Sequence, residues 1–157
     1  MKRLMRLTVL SLVAMITVAG CNEKETSKGE AKQQPVKPPS VVVVPASVQG
    51  KWKAVKISVI NKNTSQQKIY TVAIGSQLKL PESNLTLTVE NFLPHFVMEG
   101  TTLTSQSNEL LNPAVQLRVD EGGREIYKGW LFTLYPTTHA FQHPLFSFTL
   151  AGYVPIS

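Results

Sequence analysis

Beyond position 21 the sequence has no cysteine, and Cys21 is the single one in 157 residues. That excludes an internal disulfide, a thiolate metal site and thiol catalysis from everything that follows it. Histidine is nearly as scarce, at three residues, and acidic side chains number only ten. No apolar run reaches the roughly 20 residues that a membrane-spanning helix requires. No G-x-S-x-G occurs, and no segment carries a capped apolar pattern of helical period, a single turn at Thr137–Gln142 apart. Charge is modest as well. The formal +6 shrinks once Lys2, Arg3 and Arg6 are set aside, because 13 basic residues then face ten acidic ones, about +3. Residues 48–157 carry nine basic side chains against seven acidic. So small and scattered an excess excludes a nucleic-acid footprint.

What is present begins with a leader. The basic residues Lys2, Arg3 and Arg6 precede the apolar stretch Leu7–Val18, broken only by Thr8, Ser11 and Thr17. That length suits a secretory signal core and falls short of a span. Val18-Ala19-Gly20-Cys21 follows. An aliphatic residue, two small ones and a cysteine resemble the lipobox of bacterial lipoproteins. The resemblance implies that residues 1–20 are a cleaved signal peptide and that the Cys21 thiol carries a diacylglyceryl group. It also implies a further acyl chain on the new amino terminus; one chain binds marginally, several anchor stably. Asn22 stands where lipoproteins held at the inner membrane of enteric bacteria carry Asp, so the implied location is the outer membrane, facing the periplasm.

Residues 22–40 are rich in Lys, Glu, Gln, Ser and Pro and nearly devoid of aliphatic side chains. Such a segment buries too little to offset its ordering entropy, which predicts a flexible spacer. The expected division is therefore a lipidated tether over 21–47 and a folded domain over 48–157. Val41-Val42-Val43-Val44, between prolines, reads as a docked edge strand or an extended segment lying on that domain.

Period-two alternation dominates the remainder. Val55, Ile57 and Val59 share one face; Tyr70, Val72 and Ile74 another; then Leu85, Leu87 and Val89; then Val115, Leu117 and Val119. Asn61-Lys62-Asn63-Thr64 and Glu121-Gly122-Gly123-Arg124 read as turns, the second as a tight hairpin turn in which glycine admits positive φ. Thr101–Asn112, polar and rich in Ser, Thr and Asn, is predicted to be a loop, and Phe146–Tyr153 a closing strand. About seven or eight short strands imply an all-β fold, a small antiparallel sandwich or barrel.

The opening Lys53–Gly75 stretch, Leu85-Thr86-Leu87-Thr88-Val89, Gly129-Trp130-Leu131-Phe132, Pro136 and His143-Pro144 together resemble a bacterial envelope family, domain of unknown function 2155. The resemblance spans about residues 50–153 and implies an exported β-rich protein. It further implies a cysteine just after the Leu85–Val89 strand and another at the end of the closing strand, spaced like a disulfide pair. This chain has Phe92 and Tyr153 there, so the resemblance places two aromatic rings close together in place of the bond. Asn112-Pro113-Ala114-Val115, the Gly-Gly turn and Gly129-Trp130 are also similar to periplasmic segments of the ResB-type cytochrome c assembly protein. Without spanning helices or a haem-binding cysteine, that similarity implies a shared scaffold rather than a shared task.

Few side chains could carry chemistry. His139 and His143 have the i, i+4 spacing that sets a metal pair on one side of a helical turn. The competing expectation is that His143, ahead of Pro144, bonds a backbone carbonyl through its ring. Glu90, Glu99 and Glu109 are near in sequence, two of them beside polar loops. Trp52, Tyr127, Trp130, Tyr135 and Phe141 are expected to pack in the core. The reading is a membrane-bound, non-enzymatic binding or assembly module with no cofactor. It would meet an envelope protein through a loop surface or a sheet edge. The alternative is an envelope hydrolase or metal-dependent enzyme using His139 and His143. The anchor is directly testable: radiolabelled palmitate should enter the wild-type chain, and Cys21→Ser should abolish the label. Equal labelling of the two would overturn the lipoprotein reading.

Overall fold

The structure is a computed structural model that describes residues 38–157; the leader, Cys21 and most of the expected tether lie outside the described residues. Ten strands are present: β1 (Val41–Val42), β2 (Trp52–Asn61), β3 (Gln66–Ala73), β4 (Gln77–Lys79), β5 (Leu85–Leu93), β6 (Phe96–Glu99), β7 (Thr102–Ser105), β8 (Ala114–Glu121), β9 (Arg124–Phe132) and β10 (Phe146–Pro155). No helix occurs among the described residues. The strands form three sheets, in the orders β10-β2-β3, β4-β5-β8-β9 and β1-β7-β6. All ladders are antiparallel except β1 on β7.

Two of the sheets share the core. Val55, Ile57, Val59 and Val72 from one meet Leu85, Leu87, Val89, Val115, Leu117 and Val119 from the other, all buried in one cluster. These are the alternate positions read from the sequence, and sequestering that apolar surface is the main force holding the sheets together. Two turns fix the register. Asn61 Oδ1 accepts the N–H groups of Asn63 (2.9 Å) and Thr64 (3.3 Å), closing the β2–β3 turn. Gly122 and Gly123, at φ of 57° and 83°, form a two-residue loop with both central residues in the left-handed region. That conformation matches the twist of paired strands, and β8 and β9 pair across it as expected.

The small sheet packs on the outer face of the larger one. Phe96 sits with its ring centroid 5.0 Å from those of both Trp130 and Phe132. Here the structure departs from the sequence reading. Thr101–Asn112, expected as a loop, contains β7, whose pattern shows only Leu103 as an apolar residue. The N-terminal boundary also moves. Val41 and Val43 donate backbone bonds to the Thr101 and Leu103 carbonyls, each at 2.9 Å. Val48 is buried, and its N–H donates to the Pro45 carbonyl. Residues 41–47, assigned to the tether, therefore lie on the domain, and Val41–Val42 form the docked edge strand expected of the valine run.

Three β-bulges explain how the core closes at one end. Relative to its neighbour, Glu90 in β5, Ala151 in β10 and Lys53 in β2 are each skipped in the pairing. A skipped residue shifts the side-chain alternation by one. Each strand thus exchanges the phase that buries Val55–Val59, Leu85–Val89 or Phe148–Leu150 for one that turns Trp52, Phe92 or Tyr153 inward. The three rings meet, with centroids 5.2 Å (Trp52–Phe92), 6.0 Å (Trp52–Tyr153) and 5.4 Å (Phe92–Tyr153) apart.

Phe92→Ala should lower the free energy of unfolding in urea by about 3–5 kcal/mol, as for other buried rings. Deleting Glu90 would leave Asn91 opposite Gln116 and Phe92 opposite Val115 and keep Phe92 inward. Inserting a residue between Gln116 and Leu117 instead gives Glu90 a partner, restores unbroken alternation beyond it and turns Phe92 outward, so it should cost at least as much as Phe92→Ala. Glu90→Ala removes the ion pair with Lys128 (2.9 Å) and should cost less than about 1 kcal/mol. An insertion no worse than Glu90→Ala would show that the bulge does not set the phase.

Candidate functional site

The histidine pair does not assemble. Residues 136–139 form a turn and no helix follows, so the i, i+4 spacing has no helical face to act on. His139 is exposed, with φ of 52°, and its carbonyl accepts the Tyr127 hydroxyl at 2.9 Å. His143 is buried, stacked on Phe141 (5.5 Å, 19°) and tilted against Phe146 (5.6 Å). Its Nδ1 accepts the backbone N–H groups of Leu145 (3.1 Å) and Phe146 (3.2 Å). This reverses the expected bond to a carbonyl and leaves the ring proton on Nε2, which faces Glu121 Oε1 at 3.6 Å. The Lys62 ammonium donates to the His143 carbonyl at 2.7 Å. Through Nδ1 the His143 ring thus fixes the turn that leads into β10. Among the described residues no group of three His, Cys, Asp or Glu side chains is placed to hold a metal ion.

Gly129 belongs to the same aromatic group. Tyr127, two residues earlier on β9, lies over it; a Cβ at Gly129 would stand 2.5 Å from the Tyr127 hydroxyl oxygen. The Tyr127 ring then meets the face of Phe141 (5.2 Å), which stacks on Phe148 (5.0 Å). Burial there raises the Tyr127 phenol above its ordinary range. Gly129 and His143 are therefore packing residues on the inner side of the domain, and Trp130 packs on the outer side of its sheet against Phe96. Tyr135, expected in the core, is exposed, and its carbonyl holds the N–H of Thr138. The carboxylates do not converge either: Glu90 pairs with Lys128, while Glu99 and Glu109 are exposed.

The feature left without an internal role is a sheet edge. An edge strand offers unpaired N–H and C=O groups, and proteins blunt such edges with short strands, bulges, proline or a covering neighbour. β4 has three residues. β10 has its bulge at Ala151 and ends in Pro155, and it lies against β9, which is itself bulged at Ile126. β3 has none of these devices, and a single lysine, Lys68, is its one charged edge residue. Its eight residues pair with β2 in unbroken register from Gln66 to Ala73. Ile69 is 59% exposed, more than any other large hydrophobic residue among those described.

Backbone bonds at the end of β3 show which groups point outward. Ile74 N–H donates to the Lys53 carbonyl at 3.1 Å, and the Ala73 carbonyl accepts Ser76 N–H from outside the ladder at 3.0 Å. Bonded and non-bonded positions alternate in an antiparallel pair. Counting back from Ile74, the outward groups belong to Gln67, Ile69 and Thr71. Below this edge the sandwich is open, and a small hollow of about 80 Å³ is lined by Lys68, Tyr70, Leu80, Pro81 and Glu82 among others. The sequence marks the strand but not its edge position, which depends on the pairing of β2 with β10 across more than 80 residues.

Comparison with protein-family models, with curated proteins and with solved structures finds no match to this chain.

The roles given to Gly129 and His143 predict distinct stability effects. Gly129→Ala should destabilise by about 1–3 kcal/mol through overpacking, and Tyr127→Ala should remove most of that penalty in a double-mutant cycle. His143→Ala leaves two N–H groups without an acceptor, at about 1–3 kcal/mol for each one buried. Additive losses for Gly129 and Tyr127, or a neutral His143→Ala, would refute the packing account.

Proposed function

We propose that this chain is a membrane-anchored bacterial lipoprotein, attached through Cys21, whose β domain is a non-enzymatic binding or assembly module of the cell envelope. Val18-Ala19-Gly20-Cys21 supports the anchor, and Asn22 favours the outer membrane, facing the periplasm. The resemblance to domain of unknown function 2155 supports export.

The observation that carries the binding role is the open β3 edge. Sheet edges recruit extended polypeptide by strand addition: main-chain bonds supply affinity, and alternate side chains supply specificity. β3 offers outward main-chain groups at Gln67, Ile69 and Thr71, an exposed apolar side chain between the outer two, and the hollow beside Lys68 and Tyr70. A monomer has no use for such an edge and bears its aggregation hazard.

A photo-crosslinking amino acid placed at Gln67 or Thr71 in intact cells should give a discrete product with another polypeptide chain. The same probe at Ser147 or Thr149, on β10 of the same sheet, should not. No product from the β3 positions, or equal products from both strands, would refute the role given to this edge.

A further inference from the structure

The β3 edge is complementary to itself. We propose that its occupant is a second copy of this chain, paired antiparallel about a two-fold axis that passes through Ile69 of both copies. This rests on the reading of β3 as a docking edge and names what docks there.

The register follows from three observations. First, only residues with outward main-chain groups can form the bonded pairs. Gln67, Ile69 and Thr71 are those residues, and they are symmetric about Ile69. A two-fold pairing centred there bonds Gln67 to Thr71 of the second copy, Ile69 to Ile69, and Thr71 to Gln67. Both partners of every bonded pair then present free N–H and C=O groups.

Second, the side chains fit. Side chains alternate across the sheet, so Gln67, Ile69 and Thr71 lie on its outer face and Gln66, Lys68, Tyr70 and Val72 on the inner face. The pairing sets the two exposed Ile69 side chains opposite each other and withdraws both from water. Gln67 faces Thr71, a polar pair able to share a hydrogen bond. Lys68 faces the Tyr70 ring of the other copy, and no like charges stand directly opposite, an arrangement that would be destabilising.

Third, the neighbouring registers are worse. Moving the axis to Lys68 places the one charge of the strand against itself. Moving it to Tyr70 draws Ala73 into the bonded set, and the Ala73 carbonyl already accepts Ser76 N–H. It also separates the two isoleucines. A closed two-fold arrangement uses both edges at once and leaves none open for a third copy.

The pairing makes a geometric forecast. Opposed residues of a bonded antiparallel pair have Cα atoms about 5.5 Å apart, within the roughly 4.4–6.8 Å that a disulfide spans. Cys21 is the single native cysteine, and the proposed diacylglyceryl thioether occupies its sulfur; the unsubstituted chain, treated in parallel, should stay monomeric. The full-length chain would be expressed in its own membrane, oxidised mildly and resolved without reductant. Ile69→Cys should convert the majority of the chains to covalent dimer. Gln67→Cys and Thr71→Cys alone should stay monomeric, since in this register each lies far from its own copy. Co-expression of those two should restore the dimer. Thr71→Pro, which removes an outward donor and spares the β2 ladder, should reduce the Ile69→Cys dimer at least several-fold. Monomeric Ile69→Cys, or equal dimer from all three single variants, overturns the proposal. If a photo-probe at Thr71 still captures a different polypeptide, strand docking at β3 survives and only the identity of the occupant falls. If it captures nothing, both fall together.

Discussion

The interior of this domain is governed by one geometric constraint: a strand can bury only alternate side chains, yet the core needs rings at one end that fall out of step. Trp52, Phe92 and Tyr153 become neighbours because three strands each skip one residue before reaching them. Give any of the skipped residues a partner and a large aromatic ring turns to the surface while its neighbour, Asn91, Gly152 or Lys53, turns in. The aliphatic layers around Ile57, Leu87 and Leu117 depend on the same closure, since they lie in the two sheets that the rings join. The Phe92 and Tyr153 rings touch at 5.4 Å, and such an aromatic pair contributes about 0.5–1.5 kcal/mol beyond its burial. Trp52 adds a third ring to the contact.

Much of this fold was legible in the residues. Alternation identified β2, β3, β5, β8, β9 and β10, and the Gly122-Gly123 turn identified a hairpin, because these signals are local. The bulges were not legible. Glu90, Ala151 and Lys53 differ in chemistry, and nothing in a single strand says that its partner lacks a matching residue. β7 was missed for a related reason. Its one buried apolar residue, Leu103, is too weak a pattern alone, and β6 and β1 supply the ladder that makes it a strand.

Candidate chemistry was less legible still. Spacing suggested a metal pair at His139 and His143, but spacing has meaning only within a regular helix, and the chain there turns through a left-handed residue. The His143 ring instead acts as an acceptor for two main-chain donors, a role that sequence cannot separate from ligation because both use the same lone pair. The most distinctive residues of the domain, Gly129 and His143, hold its aromatic packing together. The part that faces outward without an internal task, β3, is composed of ordinary strand residues. Distinctiveness in this sequence therefore marks where the fold is difficult to build, and exposure marks where it can meet another molecule.

The parallel pairing of β1 on β7 has a mechanical consequence. Any pull applied to the N-terminal side of Val41 reaches the domain through the short β1–β7 ladder, which includes the bonds from Val41 to Thr101 and from Val43 to Leu103, before it loads either large sheet. Beyond them the Pro45–Val48 turn holds, with Val48 seated in the interior. Releasing residues 41–44 would extend the chain ahead of the domain by about 3.3–3.6 Å for each residue freed while the two large sheets stay paired. Among the described residues the shortest ladder thus stands first in line for such a load.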